Sequence, residues 1–358
     1  MITVNCSIAL LFLGMLILAV YSIPKIKIKK EFLAIENTNA TKGIAILMII
    51  LAHIMQYAGD SVTVIGGGYT KGVVFSFGSV GVALFFFLSG YGNYLSLSKR
   101  SNRRAIVKTV LLQVVRLIAL FVVCFLLVII VWMIERTVFG QGPAWSADTV
   151  LQAFLSLRMP DTSTWYLKIQ ILLYGFSMFA FIVSAGAYRN VLLLILSVAY
   201  IFIAVSCGLP NYWWQTALCY PVGAIFAERK QYLEKPINLH PYSAAISVTL
   251  LTGSTYVLIM IADGDLIPLC VIAYVGLSAG LSIISNILDI RVPLLREIGK
   301  CSLPLYLIHI GLVIVFLSNP SCVNIQCLAF LFLTVILSTL ARIIDRNIVT
   351  FNKKQTKT

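Results

Sequence analysis

Long uninterrupted runs of apolar residues, rather than alternating apolar and polar positions, dominate the chain. A helix needs about 20 mostly apolar residues to cross a bilayer, and continuous runs of that length are typical of membrane helices. The pattern predicts eleven spans joined by short polar connections. The predicted spans are residues 3–23, 42–58, 73–97, 105–133, 164–184, 189–206, 212–227, 242–261, 266–285, 302–317 and 324–344. The predicted fold class is therefore all-α, a polytopic transmembrane helical bundle.

Composition and charge agree with a membrane protein. The 358-residue chain is 60% hydrophobic and only 11% charged, whereas soluble domains are about 25% charged. A net charge of +14 could indicate nucleic-acid binding, but the cations cluster in connections that alternate along the chain. Those basic connections are residues 24–42, 98–108, 185–190, 228–240 and 286–301, together with the tail from Arg342. The positive-inside rule makes them cytoplasmic, which predicts a multi-pass cell-membrane protein with its N-terminus outside, its C-terminus cytoplasmic and no nucleic-acid partner.

Two ionisable residues, Lys42 and His53, belong to one apolar segment and are eleven positions apart. At roughly 100° per residue this spacing returns to nearly the same helix face, about 16 Å further along the axis. Lys42 is either a membrane-edge anchor or part of a site, and His53 is either a packing histidine or a functional one. Ionisable residues inside a membrane span indicate function by default, and a neutral imidazole can take a proton from a hydroxyl.

Two further features follow along the chain. Ser89 lies among glycines in residues 81–94, so it either permits close helix packing or acts as a polar contact or nucleophile beside His53. Arg100 and Arg103 belong either to an ordinary basic loop or to a phosphate clamp. The three histidines are dispersed, with no cysteine or carboxylate at ligand spacing, so no metal site is expected.

Several motifs, taken in order, resemble the membrane-bound acyltransferase-3 family, which O-acylates carbohydrates and other surface molecules. They are Lys42 with His53 after ten intervening residues, the Phe-Phe-Phe-Leu-Ser-Gly-Tyr run at 85–91, Arg100 with Arg103, the segment from Trp165 to Tyr174, and the segment from Ile298 to His309. The resemblance covers about residues 38–345 and predicts an acyltransferase domain there. Residues 1–37 would then be an extra N-terminal span with a basic cytoplasmic linker, and residues 346–358 a basic cytoplasmic tail.

The resemblance implies an O-acetyltransferase that moves acetyl from cytoplasmic acetyl-CoA to hydroxyls of a surface or exported polysaccharide. His53 matches the family's catalytic histidine, as general base or acyl carrier. Lys42, the lysine of the same motif, is the second predicted catalytic residue and would engage the CoA donor. Arg100 and Arg103 would bind the phosphates of the acyl-CoA donor. The partners implied are this donor, a carbohydrate acceptor and the lipid bilayer.

Four further residues are candidates for supporting roles in the site. They are Ser89, Trp165, Gln170 and His309. Trp165 either belongs to an aromatic belt at the membrane surface or stacks on a sugar ring. Gln170 stands where many family members have Glu. His309, the second intramembrane histidine, is either a structural bond between helices or a part of the site.

A transporter or flippase with an intramembrane histidine as proton relay is the alternative function. The absence of intramembrane carboxylates and of broken-helix pairs counts against it. A membrane sensor or scaffold is a third interpretation, weakened by short loops that leave no evident surface for a partner.

Overall fold

The computed structural model describes residues 32–58, 67–140, 143–162, 164–262, 266–288, 292–317 and 323–355. Within these ranges the protein is all-helical and has no strand. The helices are α1 (Ile35–Ala58), α2 (Gly67–Leu97), α3 (Arg103–Val138), α4 (Ala147–Leu155), α5 (Trp165–Val183), α6 (Tyr188–Ser206), α7 (Cys219–Glu228), α8 (Lys230–Leu239), α9 (Pro241–Ala262), α10 (Ile267–Leu288), α11 (Pro293–Lys300), α12 (Ser302–Leu317) and α13 (Val323–Gln355), with a 3₁₀ turn at Asn211–Trp213. The predicted span 3–23 lies outside the described residues.

The predicted polytopic helical bundle is confirmed. Seven helices in the described ranges are long and apolar enough to cross a membrane: α1, α2, α3, α5, α6, α10 and α13. The pair α11 and α12 would make an eighth span, bent by 72° at the break between the helices.

Of the predicted spans that lie in the described ranges, one departs clearly from a membrane-length helix. The predicted span 212–227 is a 3₁₀ turn followed by the ten-residue helix α7. Ten residues rise only about 15 Å, half of the hydrocarbon thickness. Helix α9, Pro241–Ala262, agrees with the predicted span 242–261 to within one residue at each end.

The region predicted as a cytoplasmic connection at 286–301 contains a helix, α11. Pro293 occupies its first turn, where the missing proline N–H costs no hydrogen bond. The chain then bends at Cys301 into α12. The expectation that the chain has no broken-helix pair is therefore wrong for α11 and α12, because residues 293–300 are too polar to read as membrane helix.

Helix α1 is fixed against α11 by two reciprocal glycine contacts. A Cβ on Gly43 would lie 2.2 Å from the Leu295 carbonyl oxygen, and one on Gly299 would lie 1.7 Å from that of Asn39. Small residues allow this kind of backbone approach between membrane helices. The contacts place Lys42 and Lys300, the neighbours of these glycines, at the same end of the bundle.

Helices α2 and α7 meet in the same way. A Cβ on Gly90 would lie 1.9 Å from the Tyr220 carbonyl oxygen, and one on Gly223 would lie 2.0 Å from that of Phe87. The short helix α7 therefore packs directly on the backbone of α2.

We expect Gly223→Ala to lower the thermal unfolding midpoint by at least about 3 °C, since overpacking costs roughly 1–3 kcal/mol. A methyl group facing a backbone oxygen cannot rotate away, so the two helices must separate. Gly175→Ala on α5 is the matched control, because nothing lies within 4 Å of its added Cβ. Tryptophan fluorescence during heating in detergent measures both midpoints, and equal midpoints for the two variants would contradict the expectation.

Helix α12 is the central element of the bundle. Every residue of α12 except Leu303 is buried, and it packs between α1, α3 and α13. It carries two polar aromatic residues, Tyr306 and His309, which are 3% and 0% exposed. This burial brings the second intramembrane histidine to the middle of the bundle.

Candidate active site

One stripe of α1 lines two cavities in succession. Asn39 and Lys42 lie on the wall of the first cavity, and Ile49, His53 and Gln56 lie on the wall of the second. These positions recur at intervals of three, four and seven residues, which keeps them on one side of the helix. Lys42 and His53 therefore line different cavities.

The first, which we call the lysine-side cavity, has a volume of about 610 Å³. The charged residues on its wall are mainly basic: Lys42, Arg116, Lys300, Arg342 and Asp345. The uncharged polar residues on its wall are Asn39, Ser89, Gln113, Tyr166, Gln170, Tyr174, Ser302 and Tyr306. This excess of cations suits an anionic ligand with a polar body.

The second, the histidine-side cavity, is smaller, at about 250 Å³. Its described wall is aromatic and uncharged apart from the titratable His53. Its lining residues are Ile49, Ala52, His53, Gln56, Tyr57, Phe75, Gly78, Ser79, Val82, Thr162, Trp165, Tyr212, Tyr306 and Ile310. The two cavities thus differ in both size and charge.

Tyr306 is the one described residue that lines both cavities. Its ring lies 5.2 Å from the Tyr166 ring and 5.8 Å from the His309 ring, measured between centroids. The cavities therefore meet at this side chain, next to the second histidine.

The two intramembrane histidines contact each other. His53 Nδ1 lies 2.9 Å from His309 Nε2, and His309 Nδ1 lies 2.8 Å from the Leu305 carbonyl oxygen. Even one imidazolium cation inside an apolar bundle would be costly to desolvate, and a second in contact with it would add repulsion, so we assign both rings as neutral. The residues are 256 positions apart in the chain, and the contact joins α1 to α12.

The hydrogen-bond pattern assigns the tautomers. The Leu305 carbonyl oxygen can only accept, so His309 Nδ1 carries the proton and donates it. His309 Nε2 then has a lone pair and accepts from His53 Nδ1–H. The remaining nitrogen, His53 Nε2, keeps its lone pair for a proton or an acyl carbon, which is the state that a general base or nucleophile needs.

Ion pairs surround the lysine-side cavity. Arg116 donates two hydrogen bonds to Asp345, from Nε at 3.0 Å and from Nη2 at 2.6 Å. Glu297 accepts from Lys300 at 2.5 Å and from Arg342 at 3.2 Å. Lys42 is the cation of this cavity that has no carboxylate partner within the described ranges.

Two amide atoms on this wall lack partners among the described residues. Gln170 is 2% exposed; its Oε1 accepts from the Tyr166 hydroxyl at 3.2 Å, and its Nε2 has the Tyr174 side chain as a polar neighbour but no acceptor within hydrogen-bond distance among the described residues. Gln113 Nε2 donates to Asn93, whereas its Oε1 has no donor. Buried amide groups are normally satisfied, so the pair suits a ligand with both a carbonyl and an N–H group.

The structure distributes the predicted site residues over distinct places. Ser89 lines the lysine-side cavity, as Tyr166 does, and no hydrogen bond joins it to His53 within the described ranges. Gln170 lines the same cavity, and Trp165 lines the histidine-side one. The structure therefore brings His309, rather than Ser89, to His53.

Arg100 and Arg103 line neither cavity. Both are exposed in and after the turn between α2 and α3. Gln113, the first cavity residue on α3, is ten positions beyond Arg103, which is about 15 Å along the helix. The predicted phosphate clamp thus lies outside the cavity, at the end of the bundle that also holds Lys42.

Sequence reasoning missed several residues of the site. Arg116, Gln113 and Tyr306 line the cavities without having been singled out. A signal for Arg116 was present, because a cation in an otherwise apolar run marks function by default. The signal for Tyr306 was its place in the segment from Ile298 to His309 that resembles the family, but a tyrosine in a buried helix is otherwise ordinary packing.

Comparison with known proteins identifies the class. A family model described as an acyltransferase domain, that of the acyltransferase-3 family, matches residues 35–343. The chain belongs to this family, and the protein is a membrane acyltransferase. No curated protein and no solved structure matches the chain.

Proposed function

We propose that the protein transfers an acyl group, most simply acetyl, from cytoplasmic acetyl-CoA to a hydroxyl of a surface or exported polysaccharide. The observation that supports this proposal is the meeting of two unlike cavities at Tyr306, beside the His53–His309 pair. A basic cavity suits the anionic donor, and an uncharged aromatic cavity suits a carbohydrate. The lysine side would face the cytoplasm and the histidine side the outer surface, as the basic connections predict.

The lysine-side cavity would bind the arm of the donor. A pantetheine arm contains amide groups, which offer a carbonyl to Gln170 Nε2 and an N–H to Gln113 Oε1. The phosphates of the donor would remain toward Lys42 and Arg116 and toward the exposed Arg100 and Arg103. This arrangement directs the thioester toward Tyr306 and the histidine pair.

His53 would act as the general base. Its Nε2 takes the proton as the acceptor oxygen attacks the thioester carbonyl; the O–H bond breaks and a C–O bond forms. The tetrahedral intermediate then expels the thiolate, which recovers the proton from His53 as CoA–SH. His309 Nε2 accepts from His53 Nδ1–H. His309 is therefore a positioning residue that fixes the tautomer of His53 and stabilises the transient His53 imidazolium.

A reconstituted assay tests the function. Purified protein in lipid nanodiscs receives acetyl-CoA with or without an oligosaccharide, and a thiol-reactive dye follows CoA release while mass spectrometry follows acetylation. We expect CoA release only when the acceptor is present, with one acetyl gained per CoA. Movement of the oligosaccharide across proteoliposomes without CoA would instead favour the transporter interpretation and refute the enzyme.

The Arg116–Asp345 pair gives a prediction on donor binding. Asp345 occupies the guanidinium that a donor phosphate would use, so Arg116→Ala should raise the KM for acetyl-CoA by about tenfold, and Asp345→Asn should lower it severalfold. Arg136→Ala is the control, because Arg136 is exposed in the last turn of α3, far from Arg100 and Arg103, and lies outside both cavities. KM values from the CoA-release assay decide, and a rise in KM for Asp345→Asn would mean that the pair serves folding rather than binding.

A further inference from the structure

The wall of the histidine-side cavity is uncharged, in contrast to that of its neighbour. None of its described lining residues is Lys, Arg, Asp or Glu. Two charged side chains that lie close to lining residues in the chain have other partners: Asp161 accepts from the Trp145 indole and acts electrostatically on Tyr57 of the wall, and Lys168 lies 5.7 Å from the centre of the Trp213 ring. A ligand with a formal charge would lose hydration here without gaining an ion pair, at a considerable cost.

Two aromatic rings from separate elements converge on this cavity. Trp165 begins α5, Tyr212 belongs to the 3₁₀ turn, and their ring centroids are 5.8 Å apart with planes at 45°. Both side chains are partly exposed and line the cavity. The apolar C–H face of a pyranose ring packs well against such surfaces, whereas a linear polar ligand would leave much of them uncovered.

Gln56 adds a polar contact close to His53. It lies three residues further along the same stripe of α1, a rise of about 4.5 Å. Its side chain is exposed, and its amide offers both a donor and an acceptor. A hydroxyl held by Gln56 would therefore neighbour the hydroxyl that reaches His53 Nε2.

The size of the cavity limits what it admits. At about 250 Å³ it is smaller than the roughly 300–1,000 Å³ of pockets that bind drug-sized molecules. One sugar ring fits such a volume, and a second ring of a chain would have to lie outside the cavity.

We propose that the histidine-side cavity is an acceptor subsite for a single uncharged sugar ring, packed on Trp165 and Tyr212 and oriented by Gln56. The inference rests on the proposed acyltransferase function and narrows its acceptor to neutral, rather than uronic or otherwise anionic, sugars. It also assigns the choice of hydroxyl to the pairing of Gln56 with His53.

Binding and turnover are tested separately, so that failure of the subsite and failure of the function can be told apart. His53→Ala protein in nanodiscs is titrated with methyl glucoside, methyl glucuronide and methyl maltoside, with tryptophan fluorescence as the readout. We expect the two neutral glycosides to bind within about threefold of each other, and the glucuronide to bind at least about tenfold more weakly. Equal binding of the glucuronide would overturn the proposal, whether or not the wild-type protein transfers acetyl.

Variants then locate the subsite during turnover. Trp165→Ala and Tyr212→Ala should each raise the acceptor KM by about tenfold and leave the KM for acetyl-CoA unchanged. Gln56→Ala should raise the acceptor KM about fivefold and spread acetylation over additional hydroxyls. Trp213→Ala is the matched control, since Trp213 adjoins Tyr212 in the same turn but does not line the cavity. Unchanged acceptor KM values in the first three variants would overturn the subsite while leaving the acyltransferase function intact. Absence of acetyl transfer from the wild-type protein would instead overturn that function.

Discussion

Alanine in place of His53 is expected to reduce acetyl transfer by roughly 10²–10⁴-fold, the usual contribution of a positioned general base. The variant removes the nitrogen whose lone pair faces the histidine-side cavity, so the acceptor hydroxyl has no group to take its proton. The KM for acetyl-CoA should stay within about twofold of wild type, because the proposed donor site is the other cavity. Initial rates of CoA release and acceptor acetylation measure the effect.

His240→Ala is the control for this experiment. His240 is exposed between α8 and α9, so its loss should leave the rate unchanged. Full activity of His53→Ala, with normal folding by thermal unfolding, would refute the catalytic role of His53.

The same protein separates the two chemical roles of His53. If the imidazole carried the acyl group, radiolabelled acetyl-CoA without acceptor would label the wild-type protein but not His53→Ala. The general-base role predicts no protein-bound label, because attack by the acceptor oxygen is then the only step at the thioester carbon.

Replacement of His309 by leucine is expected to reduce the rate by roughly 10²-fold, with little change in either KM. Leucine removes the ring nitrogen that accepts from His53 Nδ1–H and leaves the Ile49 backbone as the remaining polar neighbour of the ring, so the ring can turn or move that proton to Nε2 more easily. In the tautomer with the proton on Nε2, that nitrogen no longer has the lone pair that a general base needs. The contact of 2.9 Å between the two rings is what this prediction depends on.

His309→Gln is the informative companion variant. The glutamine side chain can offer a carbonyl oxygen to His53 Nδ1–H, so it should recover at least about tenfold of the lost rate. If His309 served only packing, the rate would depend on side-chain volume alone. The leucine and glutamine variants would then have similar rates. Equal rates for the two variants, at equal thermal stability, would assign His309 to packing.

The sequence predicted the apolar helices well and the irregular ones poorly. The ends of α5 and α6 lie within one residue of the predicted spans 164–184 and 189–206. Helix α11 was missed because its residues are too polar to resemble a membrane helix, although Gly299 binds it tightly to α1. The short helix α7 was read as a span because apolarity alone does not reveal where a helix begins.

For the candidate site, spacing along the chain predicted which residues share a helix face, but it did not predict contacts between helices that are distant in the chain. The eleven-residue interval between Lys42 and His53 was enough to place both on one face of a helix. No local pattern could show that His309, 256 positions away, would face His53, or that Tyr306 would lie between the cavities. Contacts of that kind depend on how helices cross. The sequence shows the glycines at which helices approach closely, but not which helix packs against each glycine.

The contact of Tyr306 with both cavities has a consequence for the energy balance of the membrane. A passage that stayed open from one side to the other would let ions and protons leak and would dissipate the gradient that the membrane maintains. Two cavities that meet at one buried aromatic side chain allow a small acyl group to change carriers without a continuous column of water. The protein can therefore connect chemistry on the two faces of the bilayer while the bilayer stays electrically sealed.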